Sequence, residues 1–261
     1  MPVTGQPVFD EDKRASWFSH KGEIALPHYY KVYLAEHDVV TEFTPTERAV
    51  LFRFTFPENE HSYVVVDAFD RGSYIRIVPE KNRIIGYSTR NSGGVPQNFR
   101  NYFIVEFDKP FTYTASVKDS VIQESQKEQQ AAHAGAIIGF KTKKGEIVHA
   151  RVASSFVSYG QAERNLLELG ADSFDTLVQK GRDAWNNVLG KIEVEAETST
   201  NTALSIPACT ARCFSPVLFT SWTSRVLPFT TAPIMGKCFP AICTPIRVSG
   251  IHSVVCFLSL I

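Results

Sequence analysis

Alternation of apolar and polar residues runs through the first 158 positions of the chain and predicts a series of β-strands. Ten segments are rich in β-branched and aromatic residues, and several alternate as half-buried antiparallel strands do. Turn-forming residues such as Asp70-Arg71-Gly72 and Asp108-Lys109-Pro110 separate them. Because no long helix intervenes, the pattern predicts a mainly β fold, a large antiparallel β-sandwich. The predicted strands cover residues 28–35, 39–44, 48–56, 63–69, 74–79, 83–89, 102–107, 112–117, 135–142 and 146–158.

Two segments depart from the strand pattern. Residues 119–133 are rich in Gln, Glu and Ser, which favours a polar loop. After Ser158, residues 161–169 predict a short helix ended by Gly170, and Ser173 predicts the N-cap of a longer helix. We expect these linker helices to pack on the sandwich or to bridge to another domain. Apolar residues of the longer helix recur at three- and four-residue spacings, at Phe174, Leu177, Val178, Ala184, Trp185, Val188, Leu189 and Ile192.

Charge divides the chain into two unlike parts. The 27 basic and 27 acidic residues cancel, so the basic excess typical of a nucleic-acid-binding protein is missing, and no nucleic-acid partner is predicted. Residues 198–261, however, hold all 5 cysteines and not one Asp or Glu. Prolines, serines and threonines interrupt periodicity there, so an irregular C-terminal tail is predicted. The cysteine spacings favour free thiols over a zinc site.

Neither a membrane span nor a secretory signal is predicted from the sequence. The last apolar stretch, residues 251–261, falls short of the roughly 18 apolar residues that a spanning helix needs. The N-terminal residues 1–5 lack the basic start and apolar core of a signal peptide.

Two small groups of titratable residues could carry chemistry, and each has a structural alternative. Asp67 and Asp70 could act as a carboxylate pair, although their place at a strand-to-turn junction favours a structural turn. His20, His28 and Glu23 could form an acid–base cluster, or the histidines could simply flank a strand.

Aromatic residues and one polar loop are the remaining candidates for ligand contact. Trp17, Phe18, Tyr29, Tyr30 and Tyr33 could form a platform for a sugar, whereas alternation along a strand favours burial of about half of them. The polar, glycine-containing turn at residues 90–98 lies between two predicted strands. Such loops on rigid scaffolds often carry contacts, although a plain connection is the alternative.

Three stretches, taken together, carry a resemblance to a known family. They are WFSHKGEIALPHYY at residues 17–30, FTPTERAVLFRFTFP at residues 43–57, and the segment from Ala153 to Ile192. In this order and spacing they resemble the N-terminal domain, and the helical linker after it, of glycoside hydrolase family 92. The resemblance covers about residues 1–197. It implies a galactose-mutarotase-like supersandwich over residues 1–160 and a helical linker over residues 161–197 that leads to an α/α-barrel catalytic domain.

Family 92 consists of inverting, calcium-dependent, exo-acting α-mannosidases, so the resemblance implies a parent enzyme that hydrolyses terminal α-mannosides in glycans. Inversion requires two carboxyl groups that flank the scissile bond and lie far enough apart to leave room for a water. In the family these groups and the calcium ligands come mainly from the barrel. We therefore expect no catalytic residue and no bound calcium in this chain, which alone should be inactive. A stand-alone carbohydrate-binding module or a purely structural sandwich is the alternative. Family members are usually exported, to the periplasm or beyond.

Substrate contact within the sandwich is expected at Asn91, Ser92, Gly93 and Gly94. The resemblance associates the turn at residues 91–98 with an aromatic residue after the glycine, whereas Val95 follows Gly94 in this sequence. This departure weakens the expected contact.

The resemblance also implies a chain truncated at both ends, with residues 198–261 read out of frame. If each codon is shifted by one base, permitted codons from Asn201 onward can spell QYRTFYSCLYRSLL. From Gly236 they can spell GKVFPGYMYTDTGFWDTFR. Both strings resemble the start of the family's catalytic domain, in the correct order. We therefore expect the reading frame to slip near residues 196–200.

Overall fold

The structure, a computed structural model, describes residues 1–191, 220–222 and 228–230. Two antiparallel sheets contribute side chains to a shared core, which confirms the predicted mainly β sandwich. Strands of the sandwich are numbered in chain order. They are β1 (Pro2–Thr4), β2 (Ile24–Leu26), β3 (Tyr29–Leu34), β4 (Val39–Pro45), β5 (Ala49–Phe56), β6 (Asn59–Asp67), β7 (Ser73–Val78), β8 (Arg83–Ser88), β9 (Asn101–Phe107), β10 (Tyr113–Lys118), β11 (Val121–Gln123), β12 (Glu128–Ala131), β13 (Ala134–Thr142) and β14 (Glu146–Ser155).

Within the described ranges, three α-helices accompany the sheets: α1 (Glu11–Arg14), α2 (Tyr159–Leu166) and α3 (Phe174–Leu189). Short 3-10 helices lie at Pro79–Lys81 and Leu167–Leu169. No helix of the described ranges is both long and apolar enough to cross a membrane. In the predicted irregular tail, β15 (Thr220–Trp222) and β16 (Pro228–Thr230) pair antiparallel. The rest of that predicted tail lies outside the described residues.

The larger sheet has nine strands in the order β12-β7-β8-β9-β14-β5-β4-β3-β2, and the smaller has five in the order β1-β6-β13-β10-β11. Between them lies a core of β-branched and aromatic side chains, among them Phe54, Phe103 and Ile138, which are buried completely. Burial of one such side chain contributes about 1.5–3 kcal/mol to folding.

Each sheet also buries part of its outer face. On the larger sheet, Leu51 and Ile104 pack against Leu166 and Leu169 of the helical segment and against Phe174 of α3. On the smaller sheet, the segment before β2 covers a second apolar cluster that includes Phe9. The helical segment therefore packs on the sandwich, which is one of the two arrangements expected from the sequence.

Arg53 fixes the first turn of α3 to the larger sheet. Its guanidinium donates two hydrogen bonds to Glu42, at 2.8 and 2.9 Å, and one to Asp175 at 3.2 Å. It also lies 4.0 Å from the ring centroid of Phe174. Tyr29 donates to the same Glu42 carboxylate at 2.5 Å. This bidentate, partly buried arrangement is stronger than an exposed ion pair.

All ten predicted strands are present, with ends that differ by at most four residues from the predicted ones. The prediction of a plain loop over residues 119–133 was wrong, because β11 and β12 lie within it. Gln129 of β12 is buried and donates to Gln123 at 2.7 Å, so polar side chains satisfy one another there. The sequence pattern missed such short polar strands because they bury few apolar residues.

Candidate functional site

The β8–β9 loop, residues 89–100, carries the four residues for which substrate contact was predicted. Ser92, Gly93 and Gly94 are exposed, and Asn91 is half-buried. The φ angles of Gly93 and Gly94 are +109° and +74°, a region that favours glycine. A Cβ at either position would meet no atom within 4 Å. The glycines are therefore needed for backbone shape, and open space surrounds the tip of the loop.

Asn91 shapes this loop from within. Its side-chain oxygen accepts from the Gly93 amide at 2.8 Å, and its side-chain nitrogen donates to the Thr89 carbonyl at 2.9 Å. Its own carbonyl accepts from the Arg71 guanidinium at 3.0 Å. Asn91 is thus engaged within the protein, and Ser92, Gly93 and Gly94 form the accessible tip.

The base of the β8–β9 loop is joined to the turn between β6 and β7. The Thr89 hydroxyl lies within hydrogen-bonding distance of the Arg71 and Gly72 carbonyls, at 2.6 and 2.7 Å. Gly72 has a φ of +103°, and a Cβ there would lie 2.8 Å from the Thr89 hydroxyl. Arg90 pairs with Asp70 at 3.3 Å. These contacts place the loop on a rigid base.

Asp67 and Asp70 have different partners and form no carboxylate pair of the kind considered from sequence. Asp67 is buried, binds Arg14 at 2.8 Å and His133 at 2.6 Å, and accepts from the Phe69 amide. We call Arg14, Asp67 and His133 the ion cluster. Burial raises the pKa of Asp67, but the hydrogen bonds from Arg14 and His133 outweigh it and hold the pKa below its usual value.

The structure brings together His20 and Glu23 but not His28. Glu23 accepts from the Tyr30 hydroxyl at 2.6 Å and lies 2.7 Å from His20. These two hydrogen bonds lower the pKa of Glu23, which makes it a poor general acid. His28 lies against Gly181 of α3, and both burial and the charge of Arg182 lower its pKa.

The predicted aromatic platform divides into half-buried and exposed members. Tyr30 stacks on Phe43 at 5.0 Å, and Tyr29 contacts Phe174 of α3. Trp17 is 77% exposed, and Phe18 and Tyr33 are each 46% exposed. The five rings therefore do not form one surface.

A row of tyrosines beside the β8–β9 loop was not identified from the sequence. Tyr74, Tyr87 and Tyr102 are direct cross-strand partners on β7, β8 and β9. Tyr159, the first residue of α2, lies edge-on to Tyr102 with ring centroids 4.7 Å apart. We call these four residues the tyrosine patch; each of them is half-buried on the outer face of the larger sheet. The register of β7, β8 and β9 places the three strand tyrosines side by side, and alternation within each strand does not determine that register.

Within residues 1–191, the structure contains no group of three or more His, Cys, Asp or Glu side chains arranged to hold a metal ion. Several carboxylates are instead bound by arginines: Glu42 by Arg53 and Glu106 by Arg83. Arginine-bound carboxylates of this kind can shape a surface, and their charge is already neutralised.

Comparison with known proteins identifies the fold. Residues 1–155 match the family described as glycosyl hydrolase family 92 N-terminal domain. The family GH92 inverting mannosidase BT2199 from Bacteroides thetaiotaomicron VPI-5482 is 35% identical with a TM-score of 0.81, over 87% of this chain and 31% of that one. The GH92 α-mannosidase BT3965 from the same species is 27% identical with a TM-score of 0.76, over 88% of this chain and 34% of that one. BT3965 has also been solved with mannoimidazole.

The third solved structure, the GH92 glycosyl hydrolase ccman5, shares the fold at 24% identity and a TM-score of 0.71, over 84% of this chain and 32% of that one. No curated protein sequence matches at a significant level. The chain thus spans about a third of the length of the solved mannosidases, which is the N-terminal domain of the family. These findings confirm the family predicted from the sequence: the chain belongs to glycosyl hydrolase family 92.

Proposed function

We propose that this chain is the N-terminal part of an α-mannosidase that hydrolyses terminal α-mannosides in glycans with inversion and with the help of calcium. The observation that carries the proposal is the match of residues 1–155 to the family's N-terminal domain. In this proposal residues 1–160 are the sandwich domain, residues 161–197 are the linker, and a catalytic domain follows in the parent enzyme. We further propose that the parent is exported.

Catalytic carboxyls and calcium ligands belong, in this proposal, to the catalytic domain. The state of the carboxylates in the sandwich supports this division. Glu42 and Asp67 are bound to arginines, and in both cases hydrogen bonds from those arginines outweigh burial and lower the pKa. A general acid needs a raised pKa and a general base needs a free carboxylate, so neither residue is suited to catalysis. This chain alone should therefore not hydrolyse mannosides.

The exposed side of the linker offers a surface for the catalytic domain. In α3, Phe174 and Leu177 are buried against the sheet, whereas Trp185, Val188 and Leu189 are only half-buried. Nearby, β2 exposes Ile24 and Leu26, 42% and 50% accessible. Large apolar side chains that stay accessible in one region are typical of an interface with another domain. The anchored first half of α3 would set the direction in which this interface faces.

Substrate contact from the sandwich is proposed at the tip of the β8–β9 loop. Ser92, Gly93 and Gly94 project from a rigid base into open space, and Asn91 holds their conformation. Backbone amides and the Ser92 hydroxyl could donate to sugar oxygens. Val95 provides no aromatic ring for stacking, so the contact is proposed to be polar.

The reading frame of the gene tests this proposal. We propose that the frame slips near residues 196–200, which explains why residues 198–261 contain no Asp or Glu. Sequencing the DNA that encodes residues 190–205, and the DNA downstream, should reveal a frame that continues into a family 92 catalytic domain. An intact frame that ends with residues 198–261 as a genuine tail would contradict it. Calcium-dependent turnover of an aryl α-mannoside by this chain alone would contradict the proposed inactivity.

A further inference from the structure

We propose that the tyrosine patch, together with Arg100, is a second glycan-contact surface that binds a sugar unit beside the one held by the tip of the β8–β9 loop. The proposal rests on the proposed function, because it names where a further unit of the mannose-containing glycan would lie. It concerns residues outside the loop tip.

The position of the patch suits such a contact. Tyr87 lies two residues before the β8–β9 loop and Tyr102 two residues after it, so both flank the base of the loop. Tyr74 and Tyr87 stack with centroids 5.5 Å apart, and Tyr87 and Tyr102 meet edge to face at 6.1 Å. Their neighbours along the strands, such as Ile75 and Phe103, point into the core. The tyrosines therefore lie on a fixed sheet and keep part of their surface accessible.

Three hydroxyls of the tyrosine patch differ from those of the other tyrosines in their hydrogen bonding. The chain has 9 tyrosines, all within the described residues. The hydroxyls of Tyr29, Tyr30, Tyr33, Tyr74 and Tyr113 each donate to a carboxylate, and that of Tyr63 lies 3.4 Å from His61. The hydroxyls of Tyr87, Tyr102 and Tyr159 have no hydrogen-bond partner among the described residues. All three belong to the patch.

The Tyr159 hydroxyl is the most informative of these groups. Its oxygen is buried and has no hydrogen-bond partner in the part of the chain that the structure describes. Burial raises its pKa, and the phenols of Tyr74, Tyr87 and Tyr102 raise it further, so it remains a protonated donor. A buried polar group without a partner costs about 1–3 kcal/mol. Such groups call for an explanation, and a ligand that supplies the missing acceptor once the neighbouring side chains move aside to admit it is one.

Arg100 adds a charged donor to the same surface. Its guanidinium lies 5.0 Å from the centroid of the Tyr87 ring, and one nitrogen donates to the Asn98 carbonyl at 3.2 Å. The guanidinium has further donors that point away from this bond. Phenol hydroxyls and a guanidinium together match a polyhydroxylated ligand, since a sugar offers closely spaced oxygens that accept hydrogen bonds.

Titration of the full 261-residue chain with α-mannotriose, followed by isothermal calorimetry and by NMR, tests the proposal. The matched variants are Tyr87→Ala and Tyr102→Ala, which remove the rings, and Tyr159→Phe, which removes only the hydroxyl. Tyr33→Ala, an exposed tyrosine on β3, is the control. We expect binding of mannotriose that weakens about tenfold in each ring variant, the equivalent of one lost contact. The control should bind like the natural chain, and Tyr159→Phe should weaken binding without lowering the melting temperature.

Three outcomes would overturn the proposal. The first is the absence of mannotriose binding by the natural chain, and the second is equal affinity in the Tyr87→Ala, Tyr102→Ala and Tyr33→Ala variants when melting curves show all to be folded. The third is binding that depends only on the loop tip, lost in Ser92→Ala and Gly93→Ala but kept in the tyrosine variants. None of them affects the reading-frame test of the proposed function, so the two can fail separately.

Discussion

The ion cluster and the tyrosine patch both gather polar side chains from distant parts of the chain, yet they differ in how far those groups are satisfied. In the ion cluster, the Asp67 carboxylate contacts Arg14, His133 and the Phe69 amide. The guanidinium of Arg14 also donates to the Phe9 carbonyl. In the tyrosine patch, three of four hydroxyls have no partner among the described residues, and Tyr159 has none although it is buried.

The comparison indicates which polar groups serve the fold and which serve something outside it. A buried charge is tolerated when it is paired and hydrogen-bonded, so the ion cluster is explained by the sandwich alone. The unpaired hydroxyls of the tyrosine patch are not explained by the sandwich alone. Removal of a polar group should therefore lower stability strongly in the ion cluster and hardly at all at the unpaired hydroxyls of the patch.

Removal of the Asp67 carboxylate should have the largest effect. Asp67→Ala leaves the buried guanidinium of Arg14 without its counter-ion, which should lower the free energy of unfolding by about 3–5 kcal/mol. Urea denaturation measures the loss. Asp70→Ala, which breaks only the exposed pair with Arg90, is the matched control and should cost less than about 1 kcal/mol. Similar losses in the two variants would contradict the structural role of the ion cluster.

Removal of the Arg53 side chain, which anchors α3 to the larger sheet, should give the next largest loss of stability. Arg53→Ala removes two hydrogen bonds to Glu42 and the contact with Phe174, and should lower the free energy of unfolding by about 2 kcal/mol. Lys180→Ala breaks an exposed pair with Asp172 near the same helix and should cost about 0.5 kcal/mol or less. Faster hydrogen exchange of α3 amides in Arg53→Ala, but not in Lys180→Ala, would locate the loss.

A smaller loss of stability should appear when the pH is lowered. Because the pKa of Asp67 is lower in the folded chain than its usual value of about 3.9, the unfolded chain takes up the proton first as the pH falls. The contribution of Asp67 to the free energy of unfolding is fully present at a pH above the usual pKa. It is lost as the pH falls toward the lower pKa that Asp67 has in the folded chain. Stability curves from pH 6 to pH 3 should therefore fall more steeply for the natural chain than for Asp67→Asn. Parallel curves would contradict the prediction.

The smallest change in stability is expected for Tyr159→Phe. This hydroxyl has no partner, so its removal should leave the free energy of unfolding within about 0.5 kcal/mol or raise it slightly. Tyr29→Phe is the matched variant, because the Tyr29 hydroxyl donates to the partly buried Glu42 carboxylate. It should cost about 1.5 kcal/mol. If Tyr159→Phe were the more destabilising of the two, the hydroxyl would have a structural partner and the comparison would fail.

Local patterns in the sequence predicted the ten longer strands, both linker helices, the end of the shorter one at Gly170 and the N-cap of the longer one at Ser173. Ser158 and Ser173 do cap α2 and α3, although Ser158 was expected only to precede the helix. These features are local, because they depend on alternation and on capping side chains within a few residues. The family and fold class predicted from the three matching segments were likewise confirmed.

Features that depend on distant residues could not be predicted in the same way. The apolar face expected on α3 is buried only at Phe174 and Leu177, Ala184 is exposed, and Ile192 lies outside the described residues. The tyrosine patch depends on the register of β7, β8 and β9 and on the return of α2 to β9, none of which alternation determines. Substrate contact at Asn91, Ser92, Gly93 and Gly94 remains a prediction.

The most direct measurement is the mannosidase activity of a chimera. Residues 1–191 of this chain would replace the residues that align with them in the inverting mannosidase from Bacteroides thetaiotaomicron. Size-exclusion chromatography and melting curves would establish folding before hydrolysis of an aryl α-mannoside is measured with and without a chelator. If this chain is the N-terminal domain of such an enzyme, the chimera should hydrolyse the mannoside faster than the remaining part of the enzyme alone, and the chelator should abolish the gain. A folded chimera no faster than that part would contradict the account.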